Sequence, residues 1–117
     1  MSAQTISIPS VRPPALPPEI AELKRRLPEY CRSRGITRME VFGSVATGDA
    51  RPGSDLDLLV TFRPGLQLGL DFFGMQEELG QLLGCEVDLL TRRSVEQDGN
   101  AIRRRSILAS AREIYAG

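Results

Sequence analysis

The stretch Val41-Phe42-Gly43-Ser44, followed after ten residues by Asp55-Leu56-Asp57-Leu58-Leu59-Val60, decides the reading of this chain. From Asp55 to Phe62 the residues alternate. Leu56, Leu58, Val60 and Phe62 fall on one face and Asp55, Asp57, Leu59 and Thr61 on the other. The pattern predicts a strand with a core face and an acidic face. Carboxylates two residues apart on a strand project from the same surface, roughly 6 to 7 Å apart along the backbone. At about 4 Å they would repel by about 4 kcal/mol at an effective dielectric of about 20, a large fraction of a small domain's stability. A positive charge is therefore expected between them. A divalent, oxygen-seeking cation such as Mg2+ suits the place, because it takes one or two carboxylates and completes its shell with waters and phosphates. A solvated strand end with two surface acids is the other reading of Asp-x-Asp taken alone.

Upstream, Arg38 to Phe42 reads as a second strand with Met39, Val41 and Phe42 apolar. Gly43 ends it where a side chain would obstruct close approach of a ligand. Ser44 reads as the N-cap of a short helix through Val45, Ala46 and Thr47, stopped by Gly48. A helix start offers free N–H groups to an anion. A phosphate cradle and a metal pair are thus expected within one strand-turn-strand unit. Arg51, in the turn-rich loop Asp49 to Ser54, is within reach of a triphosphate from there, or is simply solvated.

This constellation, Gly43-Ser44 with ten residues before Asp55-x-Asp57 at the head of an apolar strand, resembles the signature of the polymerase-beta-like nucleotidyltransferase superfamily. The resemblance runs over roughly residues 20 to 116. Its size is that of the minimal nucleotidyltransferases, the MNT proteins usually paired with HEPN toxins. It implies an α/β fold with a small mixed β-sheet flanked by helices. It also implies that Gly43 and Ser44 contact the nucleotide phosphates, that Asp55 and Asp57 bind Mg2+, and that a third acid on a later strand completes the site. Asp88 looks like that acid, because it interrupts the apolar run Val87-Asp88-Leu89-Leu90, where an unpartnered carboxylate would be costly. Its other reading is a structural Asp bonded to nearby backbone. The implied activity is transfer of AMP from ATP to a hydroxyl of a partner protein, a tyrosine of a HEPN toxin, in the role of antitoxin. The alternative is a non-catalytic antitoxin or adaptor that neutralises its partner by binding alone. The chain departs from the family at Val45 and Thr47, where an aromatic or Arg and a further Arg are common.

A length of 117 residues predicts one domain. Residues 1–18, with Pro9, Pro13, Pro14, Pro17 and Pro18, read as a flexible arm, leaving 19–117 as the nucleotidyltransferase domain. Formal charge is zero, with 15 basic and 15 acidic residues, so direct nucleic-acid binding is not expected. Histidine is absent, which excludes Ser-His-Asp and Cys-His machinery and His-ligated zinc. A P-loop is excluded because Asp49, not Lys, follows the glycine-bounded turn. Cys31 and Cys85 have no metal-binding spacing and read as reduced thiols of a cytoplasmic protein. No stretch is apolar enough to span a membrane or resembles a signal peptide.

The stripe Ile20, Leu23, Leu27, Tyr30 and Cys31 predicts a helix broken at Pro28 and stopped at Gly35. A helix is expected over Gly65 to Leu83 and a strand over Cys85 to Thr91, long enough apart for a parallel crossover. Ser94-Val95-Glu96-Gln97 resembles a capping box. A last helix from Asn100 carries Ile102, Ile107, Leu108 and Ala111, interrupted by the Arg103-Arg104-Arg105 run, and Ile114 and Tyr115 are expected to close the chain as an edge segment on the sheet.

Overall fold

The alternating segment becomes β2, Leu56–Phe62, and the apolar segment before Gly43 becomes β1, Ile36–Phe42. The computed structural model describes residues 15–117. With β3, Val87–Thr91, and β4, Arg112–Ala116, these strands form one sheet in the order β3-β2-β1-β4. β1 pairs antiparallel with both β2 and β4, whereas β2 and β3 are parallel. The sheet is therefore mixed, and Ile114 and Tyr115 lie on an edge strand as expected. The parallel pair is possible because α4, Asp71–Leu83, carries the chain back across the sheet.

The apolar stripes explain how the layers stack. Leu56, Leu58 and Val60 face a core shared with Met39 and Val41 of β1, with Leu23 and Leu27, and with Met75, Leu79 and Leu83 of α4. Pro28 divides the first helical stripe into α1, Ile20–Arg26, and α2, Pro28–Arg34, and stands at the first position of α2, where a missing N–H costs nothing. Leu27, fully buried, fills the joint. Within the arm read over 1–18, residues 1–14 lie outside the described residues. Pro17 and Pro18 are buried, and Gly53 N–H donates to Ala15 O at 3.1 Å.

Three expectations are corrected. The helix expected from Gly65 begins only at Asp71, because Gly65, at φ +85°, turns the chain, and Leu66 N–H donates back to Arg63 O. The acidic face is acidic at one end alone. Beyond Asp57 it becomes a second core, in which Leu59 and Phe42 pack with Val95, Ile107 and Leu108 beneath α5, Arg92–Glu96, and α6, Ala101–Ser110. Complete burial of Leu59 stabilises by about 2 kcal/mol, which outweighs any preference of that face for water. The box expected at Ser94 is instead capped by Thr91, whose Oγ1 accepts from Ser94 N–H at 3.1 Å. The strand itself supplies the cap, so α5 starts without a loop. Asn100 caps α6 in the same way, accepting from Arg103 N–H at 3.0 Å.

One charge lies inside the second core. Glu40 is 3% exposed, and its Oε2 accepts from Arg92 Nη1 at 2.6 Å, while Arg38 Nη2 stands 3.4 Å away. Arg92 also donates through Nε to Glu96 at 3.0 Å. Because Arg92 follows β3 directly and Glu40 sits on β1, the pair ties two strands together across β2. Replacing Arg92 by Ala would leave the buried carboxylate only its longer contact with Arg38 and should cost about 3 kcal/mol. Glu96→Ala, which removes only the exposed partner, should cost less than about 1 kcal/mol. Urea denaturation of the two variants checks this, and equal midpoints would count against a buried pair.

Candidate active site

Asp57 occupies β2 directly opposite Phe42 of β1 and directly beside Asp88 of β3. Residues at matched positions of adjacent strands share a face and lie about 5 Å apart, so the two carboxylates are neighbours. Asp55, exposed, stands just before β2 and two positions from Asp57. Asp57 is half-buried, and its carboxyl is pushed up to about 6, first by burial and then by the charges of Asp88 and Asp55. Among the described residues no cation offsets these charges.

The donor set is all carboxylate oxygen, which suits a hard divalent cation. Among the described residues no three ligating side chains close around one point as they stand. Mg2+ binds through one or two carboxylates plus waters and substrate phosphates and does not require an all-protein cage. Cys85 lies near Asp55, and its thiol is raised by burial first, then by Asp55 and Glu86, which keeps it protonated and unreactive.

The turn at Gly43 is built against the same carboxylate. Gly43 has φ +72°, and a Cβ placed on it would overlap Asp57 Oδ2 and lie 3.3 Å from Asp57 Cγ. Only glycine both adopts that conformation without strain and leaves the acid its space. The consequence corrects the expected cap. The helix α3 runs Gly43–Thr47, and its cap position falls on Phe42, which contributes no side-chain bond, so Ser44 lies inside the first turn. The bend is made in one residue, which leaves no room for a separate capping position. The first N–H groups of a helix have no partner within it, and here that of Gly43 goes to Ser110 Oγ at 3.2 Å, while Ser110 Oγ donates to Ile107 O at 3.1 Å.

Of the residues singled out in the sequence, Gly43, Asp57, Asp88 and Asp55 are brought together, and Ser44 adjoins them in α3. Arg51 is not brought to the acids. It is exposed in a tight turn where its N–H donates to Ser54 Oγ and its carbonyl accepts from Ser54 N–H, both at 2.9 Å. Ser110 was missed. A small polar residue ending a helix after an arginine run carries no periodic signal, and only its position one turn beyond Ile107 hints that it faces inward.

With this geometry, likeness to known proteins is informative. The family described as Nucleotidyltransferase domain matches residues 24–113. The chain belongs to the nucleotidyltransferase domain family. A Methanocaldococcus jannaschii relative named "Putative protein adenylyltransferase" is 40% identical over 76 residues, 65% of this nucleotidyltransferase and 81% of the relative. A solved structure described as a "putative minimal nucleotidyltransferase" is 36% identical with a TM-score of 0.61, covering 81% of this chain and 95% of that one. The four-stranded mixed sheet is thus similar to that of a minimal nucleotidyltransferase. The MNT antitoxin solved in complex with tri-AMPylated Shewanella oneidensis HEPN toxin has a TM-score of 0.59 at 15% identity, covering 84% of this chain and 73% of that chain, a likeness of fold.

Two predictions follow from the acid and the turn. In the unfolded chain Asp57 ionises near its ordinary value of 3.8, and in the folded protein near 6. Between these the folded state holds the extra proton, so its stability falls as pH rises through the window, and the loss is complete above it. Asp57→Asn should therefore match the parent in metal-free buffer near pH 4 and exceed it by about 1 kcal/mol, or about 4 °C in Tm, above about pH 7, after allowance for solvent access. Thermal melts across pH test this, and a variant that is less stable at neutral pH would contradict it. Gly43→Ala should lower stability by about 1 to 2 kcal/mol through left-handed strain alone, and more through overlap with Asp57. A neutral effect in denaturation would show that the turn relaxes freely.

Proposed function

We propose that this nucleotidyltransferase transfers AMP from ATP, with Mg2+, to a tyrosine hydroxyl of a HEPN-type toxin and so acts as its antitoxin. The observation that carries the reading is the shared wall between the turn and the acids. Gly43 packs on the Asp57 carboxylate, and Asp57 stands beside Asp88, so a triphosphate on the turn would reach the acids without any movement of the sheet. The name of the Methanocaldococcus jannaschii relative supports a protein acceptor. The AMPylated toxin bound to an MNT antitoxin of the same fold supports a HEPN partner.

Asp55 and Asp57 are assigned to Mg2+, with Asp88 completing the set. The ion, when bound, would neutralise the triphosphate and offset the crowding of the three acids. The Ser44 hydroxyl and the amides after Gly43 hold phosphate oxygens, and Arg51, which makes no ion pair among the described residues, is assigned to the outer triphosphate. In the reaction the tyrosine oxygen attacks the α-phosphorus, the bond to the β-phosphate oxygen breaks in line, pyrophosphate leaves, and Asp88 receives the tyrosine proton. Both cysteines are free, and no helix among the described residues is long and apolar enough to cross a membrane, which supports assignment to the cytoplasm.

The double variant Asp55→Asn, Asp57→Asn separates catalysis from binding. Co-expressed with the cognate toxin, it should fold and associate but leave the toxin active, with no mass added, whereas the parent adds AMP and protects the cell. Equal protection by both, with no AMP on the toxin in either case, would establish neutralisation by binding alone.

A further inference from the structure

We infer that Ser110 is a positioning residue that sets the register of the triphosphate on the Gly43 turn. The inference rests on the nucleotide site proposed above. Ser110 is the last residue of α6, far from the turn in sequence, yet its Oγ accepts the Gly43 N–H at 3.2 Å. A serine hydroxyl has one proton, and this one goes to Ile107 O at 3.1 Å, so toward Gly43 the oxygen is an acceptor only. It competes with a phosphate for that amide.

The competition matters because of what lies on the other side of Gly43. The glycine touches the Asp57 carboxylate so closely that no Cβ fits between them. A phosphate drawn onto the Gly43 amide would be pulled toward that acid, one residue short of the Ser44 and Val45 amides. By occupying the Gly43 N–H, the hydroxyl reserves the later amides for the anion and fixes how far the α-phosphorus stands from Asp57. The hydroxyl is itself firmly held. Ile107, Leu108 and Ala111 pack on Phe42, Leu59 and Val95, the second core on the same sheet face as Asp57. A displacement of about 1 Å is enough to cost up to about a hundredfold in rate, so register is worth more here than one additional bond to substrate.

The effect of removing the hydroxyl is therefore an uncommon split. Ser110→Ala frees one more amide for ATP while letting the nucleotide settle in the wrong place. kcat for AMP transfer to the co-purified toxin should fall at least tenfold, while KM and calorimetric Kd for Mg-ATP stay at parental values or decrease. Ser110→Thr, which keeps the hydroxyl, should restore kcat to within about threefold, and its isostere Ser110→Val should behave like the alanine variant. The Thr and Val pair decides the matter even if the alanine variant fails to fold. Equal kcat for these two, or a raised Kd with kcat intact, would overturn the role of Ser110 while leaving the proposed function standing. A parental protein that transfers no AMP would overturn both together.

Discussion

Crowding of like charge at one end of a parallel strand pair is the constraint on which the rest of this structure depends. Asp57 has Asp88 beside it and Asp55 two positions before it, is half withdrawn from water, and among the described residues has no cation paired with it. A sheet free to respond would part β2 from β3 or turn the side chains outward. It is kept from doing so from two directions. On one face Leu56, Leu58 and Val60 are clamped in the main core, and on the other Leu59 is sealed by α5 and α6 immediately past the acid. The Glu40–Arg92 pair adds a tie from β1 to the end of β3 that passes over β2. The repulsion is thereby concentrated at one residue instead of being relieved by deformation.

The same rigidity accounts for the glycine turn. Gly43 lies against Asp57 because β1 and β2 are registered with Phe42 opposite Asp57, so the residue after Phe42 must pass over the carboxylate. Left-handed backbone at that residue is the local answer to a long-range demand, and the short helix that begins there inherits its direction from it. The glycine turn and the acid cluster are thus parts of one mechanical unit, and change in either is felt by the other.

How much of this could be read from the sequence follows from the range of each interaction. The Pro28 break, the Asn100 helix start and the β2 alternation depend on neighbours in the chain and were legible. Asp88 could be singled out because an acid within Val87-Asp88-Leu89-Leu90 is conspicuous, although its place beside Asp57 needed the parallel register. The family was legible from the Gly43-Ser44 and Asp55-x-Asp57 spacing. The cap at α3 was misread because Ser44 is a good capping residue in isolation, while Asp57, fourteen positions from Gly43, dictates where the helix begins. Leu59 was placed on an acidic face because alternation reveals two faces and does not tell which of them a distant helix will cover. Ser110 left no local trace, since its partner lies 67 residues away.

The energetics of the site also explain why a domain this small can support demanding chemistry. A protein of this size has roughly 5 to 15 kcal/mol of net stability, and about 1 kcal/mol of it is given up at neutral pH to keep Asp57 ionised in its half-buried place. That loss belongs to the ligand-free state. Whatever supplies positive charge between Asp57, Asp55 and Asp88 is bound in part by the relief of their repulsion, so affinity for the cation and strain in the free protein are the same free energy seen from two sides. Filling the place permanently with a lysine or arginine would relieve that repulsion and stabilise the ligand-free fold. The crowded carboxylate of Asp57 is thus the part of the sequence that works against the fold, and a cation bound beside it would return that free energy.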